Sequence, residues 1–292
     1  MPPKPTSPSP LAIVTAGAVT LAVAMGIGRF AFTPLLPMML ADGLIDLPHA
    51  SWLASANYLG YLLGALACTF QPWLWTRLGW HSAINGPAMV RGGMVATGVL
   101  TLAMALPWPA LWPTLRFAAG VTSALVFVYT SGWCLSQLAA RGRGALGGAM
   151  FVGPGAGIVL SGLLVSGMVA LHWRAASGWL LFGALAFALT FTVWQIVRQT
   201  PSASTSGVSA APAASATTPA AASGHHGRPE ITTLALAYGL AGFGYIITAT
   251  FLPVIARGAL PGSHWLDLFW PVFGAGVVCG ALLSTRVQVS GD

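Results

Sequence analysis

Most of this chain consists of apolar runs of about twenty residues or more, separated by short polar turns. At a rise of about 1.5 Å per residue, such a run crosses the roughly 30 Å hydrocarbon core of a bilayer as a helix. We therefore predict a membrane protein with eight transmembrane helices. The predicted spans cover residues 11–40, 51–71, 82–106, 111–138, 145–171, 175–197, 231–256 and 265–283.

The composition supports a membrane protein and excludes several other classes. Charged residues make up 6% of the chain and hydrophobic residues 56%, which is too apolar a mixture to cover the surface of a water-soluble domain. The 12 Lys and Arg residues are scattered at span ends, so no nucleic-acid partner is expected. The three cysteines are far apart within apolar runs, and we predict neither a metal site nor a cofactor.

One polar tract divides the spans into a set of six and a set of two. It is rich in Ala, Ser, Thr and Pro, and it has too few large apolar side chains for burial to offset the entropy of ordering. The predicted organisation is a cytoplasmic tail at 1–10, a six-helix bundle at 11–198, a flexible cytoplasmic linker at 199–229, two further helices at 230–286 and a tail at 287–292.

The basic residues also predict the orientation. Lys and Arg predominate in the turns that would share one side of the membrane, whereas the first turn on the other side carries Asp42 and Asp46. Because cytoplasmic loops are enriched in Lys and Arg, the N-terminus is expected to be cytoplasmic, in a bacterial inner (plasma) membrane. Arg174 and Arg257 are exceptions to this pattern.

Three stretches resemble a known family in the correct order. They are GIGRFAFTPLLP at residues 26–37, ASANYLGYLLGA at 54–65 and YGLAGFGY at 238–245. Together they resemble the YbfB/YjiJ branch of the major facilitator superfamily. The resemblance implies an all-α membrane bundle and a secondary transporter, in which two sets of helices rock around a central site for a small-molecule solute.

Further motifs are similar to those of the wider superfamily and suggest gating or coupling residues. Arg116 opens a motif that is linked in the superfamily to proton coupling, so a coupling proton is one open alternative. Gly153 and Pro154 begin a segment similar to one found in antiporters, which implies efflux. Arg77 lies in a loop similar to the superfamily's gating loop, although Thr76 stands where an acidic residue is expected.

Arginines within the spans are the first candidates for solute binding, because charge at membrane depth is costly. At the helical rise, Arg29 lies about 27 Å from the cytoplasmic start of its span and Arg116 about 8 Å from the external start of its own. The resemblance implies that both guanidinium groups face one vestibule, where they would suit a carboxylate or phosphate group. An alternative stays open, in which they reach headgroups or donate to carbonyls near Pro34 and Pro37.

The other candidates are polar or bulky side chains inside the spans. Asn57 is favoured for binding because a buried amide needs a partner, and Tyr129 and Tyr245 are further binding candidates within the spans. The weaker candidates are Tyr58, Trp133, Gln137, Thr248 and Thr250.

Two charged residues remain as candidates for gating or coupling. Arg91 lies near the midplane and suggests a packing or gating role. Asp267 begins the last span, where it acts either as a helix cap or in coupling. Three prolines, Pro34, Pro37 and Pro154, are expected to bend their helices.

The leading prediction is a transporter of a small organic, anionic solute rather than an enzyme. The chain has neither HExxH nor GxSxG, the motifs of zinc peptidases and of serine hydrolases. The family resemblance implies twelve helices, whereas eight are found here. A truncated, non-transporting scaffold or partner protein therefore remains the alternative.

Overall fold

The structure, a computed structural model, describes residues 8–79, 84–199, 228–259, 266 and 268–285, and all regular elements in these ranges are helical. This confirms the all-α prediction. Most of the predicted N-terminal tail, the interior of the predicted linker and the tail at 287–292 lie outside the described residues. The helices are α1 Pro10–Leu21, α2 Phe32–Ala41, α3 Leu47–Arg77, α4 Gly86–Ala103, α5 Trp112–Ala139, α6 Val152–Ala170, α7 Ala175–Gln199, α8 Arg228–Ala259 and α9 Phe269–Ser284.

Several of these elements are long and apolar enough to cross a membrane. In the described part of the chain they number five, and α9 is a shorter apolar helix. The five are Pro10–Ala41, Leu47–Arg77, Pro109–Ala139, Gly144–Ala170 and Ala175–Arg198. Except for the third, which corresponds to α4, the first six predicted spans each match one of them.

The first span is interrupted near its middle, one turn before Pro34 and Pro37, the prolines expected to bend it. Helix α1 passes into a π-helical turn, Ala22–Ile27, and irregular turns at residues 28–31 separate this from α2. Pro34 is the third residue of α2 and Pro154 the third residue of α6. Pro34 thus lies in the first turn of α2, where a proline is tolerated, and Pro37 lies inside that helix. Pro154 lies inside the span Gly144–Ala170, where a 3₁₀ segment, Gly144–Phe151, passes into α6. Bending at these prolines stays a prediction.

Glycines bring the helices on the N-terminal side of the linker into close backbone contact. A methyl group added at Gly64 of α3 would lie 2.9 Å from the carbonyl oxygen of Val121 in α5. One added at Gly157 of α6 would lie 2.7 Å from Cα of Gly26 in the π-helical turn. Small residues at such crossings let helices approach closely in lipid, where packing rather than hydrophobic burial drives association.

Helix α9 packs in the same way onto α6, and we call this contact the α6–α9 seam. A methyl group at Gly155 would lie 2.9 Å from the carbonyl oxygen of Gly274, and one at Gly274 would lie 2.7 Å from the amide nitrogen of Val159. The indole Nε1 of Trp270 also donates to Ser161 Oγ at 3.3 Å. The seam therefore joins helices from the two sides of the linker through their backbones.

Two aspartates cap helices at the end of the bundle where α2 meets α3. The Asp46 carboxylate accepts from the backbone N–H of His49 at 2.9 Å and begins α3. That of Asp42 accepts from the N–H of Ala175 at 2.7 Å and so caps α7 from another helix. Carboxylates stabilise helix starts because free N–H groups and the positive end of the helix dipole meet there.

Candidate functional site: an arginine cage between two sets of helices

Arg29 lies in the break of the first span, surrounded by aromatic rings. Its side chain is buried, with 8% of the residue exposed. The guanidinium carbon lies 3.9 Å from the ring centroid of Tyr61, 5.2 Å from that of Tyr58 and 5.5 Å from that of Phe30. These four residues form what we call the Arg29 cage. Aromatic faces attract a guanidinium, so the cage stabilises the buried cation.

Arg116 of α5 holds the backbone that carries Arg29. Its two terminal nitrogens donate to the carbonyl oxygens of Gly28 at 3.3 Å and of Arg29 at 3.2 Å. Its guanidinium carbon lies 4.7 Å from the ring of Phe32, and the residue is 3% exposed. The geometry thus favours the carbonyl interpretation for Arg116, and the two arginines differ in role: Arg116 supports the turn from which the Arg29 side chain extends.

Asn57 of α3 ties this arrangement to a second helix. Its amide nitrogen donates to the carbonyl oxygen of Arg116 at 2.9 Å, and the residue is 1% exposed. Within the described part of the chain, its amide oxygen is buried without a hydrogen-bond partner. A methyl group at Gly120 would lie 2.8 Å from the amide nitrogen of Tyr61, so α3 and α5 nearly touch beside Asn57. Asn57 therefore fixes the position of α3 along α5, and with it the positions of Tyr58 and Tyr61 beside Arg29.

Tyr58 connects the cage to the first helix after the linker. Its hydroxyl is hydrogen-bonded to Thr250 Oγ1 of α8. Because Thr250 Oγ1 donates to the carbonyl of Ile246 at 2.8 Å, it accepts from Tyr58. Thr250 is 2% exposed. The cage is thus closed on one side by a residue from the other set of helices.

The remaining predicted binding residues lie elsewhere or outside the described residues. Tyr129 donates to Gln71 Oε1 at 2.5 Å, and it follows Arg116 by about 20 Å along α5 at the helical rise. One small solute cannot touch both. Tyr245 belongs to α8, but its side chain lies outside the described residues, as does all of Asp267.

The predicted gating residues make packing contacts. The guanidinium carbon of Arg91 lies 5.2 Å from the ring of Trp194, and this contact joins α4 to α7. The Nε of Arg91 donates within α4 to the carbonyl of Pro87 at 3.4 Å. Arg77 ends α3 with its guanidinium carbon 5.0 Å from the ring of Trp73. A methyl group at Gly153 would lie 2.8 Å from the carbonyl carbon of Ala18. A gating role for these residues stays a prediction.

Tyr61 and Phe30 are the members of the cage that the sequence did not single out. A signal was available, because Tyr61 follows Tyr58 by three residues and so lies on the same face of α3. Phe30 also contacts Trp270 of α9, with ring centroids 6.2 Å apart. A narrow cleft beside it is lined by Pro34, Pro37, Gly162, Val165, Ser166, Pro253, Leu266 and Trp270.

A family model described as "Uncharacterised MFS-type transporter YbfB" matches residues 21–291 of the chain. The protein belongs to this family. The match covers the spans on both sides of the linker and confirms the resemblance that the three motifs suggested. No curated protein and no solved structure matches the chain.

Membership of the MFS-type family defines the general role of the protein. It is a multi-pass membrane transporter, and the family indicates transport rather than enzyme chemistry. Among the described residues, no group of three or more His, Cys, Asp and Glu side chains could hold a metal ion.

Proposed function

We propose that this MFS-type protein moves a small organic solute with an anionic group across a bacterial inner membrane, by alternating access around the Arg29 cage. The observation that carries the proposal is the guanidinium of Arg29, which is buried within an apolar span and lies against Tyr58, whose hydroxyl is bonded to α8. A guanidinium offers a planar fork of N–H donors that matches a carboxylate or a phosphate group. An aromatic cage lowers the cost of burying the cation until such an anion arrives.

Each neighbouring residue has a role in this proposal. Arg116 and Asn57 position the turn and the two tyrosines, and Arg29 contacts the anionic group of the solute. Tyr129 and Tyr245 remain proposed contacts for the solute at other points along the pathway. The N-terminus is proposed to be cytoplasmic, because of the distribution of Lys and Arg.

We further propose a direction and a driving force for the transport. The similarity of residues 153–157 to an antiporter segment supports efflux. Between Asp46 and Glu230 the sequence contains no Asp or Glu that could accept a proton within the first set of spans. A coupling proton and a driving force supplied by the charge of the solute are the two alternatives.

Ligand-dependent thermal stabilisation tests the central proposal. The purified protein in detergent is heated with organic anions, cations and neutral metabolites, beside the Arg29→Gln and Arg91→Gln variants. Arg91 is a matched control, because it is a second arginine that lies against an aromatic ring within the bundle but away from the cage.

We expect at least one anion to raise the unfolding temperature of the wild-type protein and of Arg91→Gln, but not that of Arg29→Gln. Cations and neutral compounds should have no such effect. An anion that stabilises all three proteins equally, or a folded protein that no anion stabilises, would contradict binding at Arg29.

A further inference from the structure

We propose that Tyr58 couples occupation of the Arg29 cage to separation of α8 from α3. One face of its ring lies against the guanidinium, 5.2 Å from its carbon, and its hydroxyl is bonded to Thr250 of α8. Tyr58 thus contacts both the proposed binding group and the opposite set of helices. The inference rests on the proposed function and makes Tyr58 a positioning residue in it.

The shape of the side chain makes the two contacts interdependent. A tyrosine ring and its hydroxyl form one rigid unit, so the ring cannot leave the guanidinium without moving the hydroxyl. The acceptor is equally constrained, since Thr250 Oγ1 is fixed by its own bond to the carbonyl of Ile246. A displacement of the ring therefore breaks or lengthens the bond between α3 and α8.

An arriving anion acts on Tyr58 before Tyr61. Tyr61 lies closer to the guanidinium carbon, at 3.9 Å against 5.2 Å for Tyr58. Cation–π attraction weakens with distance, so of the two rings on α3 that of Tyr58 is the easier one to displace. Phe30 is more distant still, at 5.5 Å, but it adjoins Arg29 in the chain and moves with the same turn. A carboxylate that takes up the N–H donors of Arg29 then pushes the Tyr58 ring aside and keeps that of Tyr61.

Helix α8 is buried only along its C-terminal half, which includes the hydrogen bond between Thr250 and Tyr58. Residues 232–241 are exposed on all sides of the helix, whereas Ala249, Thr250 and Ala256 are buried. The buried side of α8 thus lies in its C-terminal half, where Phe251 and Val254 pack against the hydrophobic core beside the bond from Thr250 to Tyr58. Loss of the bond to Tyr58 weakens the attachment at the place where α8 is held.

Chemical labelling of one introduced cysteine measures this separation directly. Ala249 is 4% exposed and adjacent to Thr250, so in a background without the three native cysteines an Ala249→Cys substitution reports exposure of the buried side of α8 beside the Tyr58 bond. The reagent is a membrane-impermeant maleimide, applied to the full chain in lipid vesicles. The rate is compared in the otherwise unaltered background and in the Tyr58→Phe, Thr250→Val and Ser161→Ala variants, without solute and with malonate as the anion probe.

Without solute, Tyr58→Phe and Thr250→Val should each raise the labelling rate about two- to tenfold, the change that corresponds to one net hydrogen bond. Ser161→Ala removes a bond in the α6–α9 seam and should leave the rate unchanged. Malonate should raise the rate in the background but not in Tyr58→Phe, although that variant keeps the aromatic ring and still gains thermal stability from malonate.

Two results would overturn the inference. One is an unchanged rate in both Tyr58→Phe and Thr250→Val without solute. The other is a rise in Ser161→Ala, the seam variant, that equals the rise in Tyr58→Phe and Thr250→Val, because general loosening would then explain the effect. The solute-free comparison stands even where malonate fails to bind, so failure of anion binding and failure of the Tyr58 link are distinguishable. If one variant does not fold, the other removes the same bond from its opposite end.

Discussion

Two of the contacts between the helices on the two sides of the linker are built differently. In the α6–α9 seam, Gly155 and Gly274 bring the backbones together, and the Trp270 indole adds a hydrogen bond. Between α3 and α8, the contact is a hydrogen bond between two side chains, Tyr58 and Thr250. Close backbone packing sums many small attractions over a large area, whereas one hydrogen bond between side chains contributes about 1 kcal/mol.

This difference indicates which contact can open during transport. A glycine-packed crossing loses all its contacts together when the helices separate, so it suits a pivot around which the two sets turn. A single bond between side chains can be exchanged for a bond to water or solute, so it suits an opening. Rocking of one set against the other needs both kinds of contact.

The largest expected effect comes from disturbing the glycine packing. In Gly274→Ala, the new methyl group would lie 2.7 Å from the amide nitrogen of Val159, and backbone atoms must move to accommodate it. We expect a loss of about 1–3 kcal/mol in the free energy of unfolding. Gly276→Ala on the same helix is the control, because that position has open space around it. Reversible unfolding in detergent should show the loss in the first variant only, and equal stability of the two would contradict a tight seam.

A smaller loss of stability is expected when either of the two hydrogen bonds is removed. Ser161→Ala leaves the buried indole N–H of Trp270 without its acceptor, which should cost about 1–2 kcal/mol. Thr250→Val leaves the hydroxyl of Tyr58, which is only half-buried and can turn to another partner, so about 0–1 kcal/mol is expected. The same unfolding measurement compares both variants with the wild-type protein. A larger loss in Thr250→Val than in Ser161→Ala would reverse the proposed roles of the two contacts.

The smallest effect concerns pH and the start of α3, the helix that carries Tyr58. The hydrogen bond from the His49 backbone N–H, followed by that from the His49 side chain, lowers the pKa of Asp46 below its usual 3.8. The folded protein therefore favours the ionised carboxylate. This contribution to stability is fully present above the unfolded-state pKa and is lost as the pH falls through the lower folded-state pKa.

The unfolding temperature of Asp46→Ala, measured against pH beside that of the wild-type protein, tests this cap. The wild-type protein should be slightly more stable above about pH 5, and the difference should shrink toward about pH 3. A difference that is constant over this range would show that the cap does not depend on the charge of Asp46.

The sequence predicts the helices well because bilayer thickness leaves a clear signal in apolar run length. Its errors have local causes. The apolar run at 51–71 marks only the middle of α3, since Leu47–Arg77 continues past it at both ends and begins at the Asp46 cap. The break in the first span could not be located from its prolines, because the turn at 28–31 is held by Arg116, 87 residues away from Arg29.

The site is predictable only as far as single residues carry the signal. Arg29 stands out in the sequence because a charge inside an apolar run is rare and costly. The contact between Tyr58 and Thr250 joins residues 192 positions apart, and no local pattern indicates such a pairing. Arg116 shows the same limit. Its charge is visible in the sequence, but the carbonyl groups that accept its hydrogen bonds are brought to it by the tertiary fold.

Distance measurements between spin labels in lipid vesicles test most directly the claim that one contact opens while the other holds. One label pair bridges α3 and α8, at Leu59 and Ile255, and the other bridges α6 and α9, at Leu163 and Val272; all four side chains are exposed. We expect that an anion which stabilises the protein through Arg29 changes the distribution of distances between the α3 and α8 labels. The distribution of distances between the α6 and α9 labels should stay unchanged. A change in the α6–α9 distances with constant α3–α8 distances would contradict the claim.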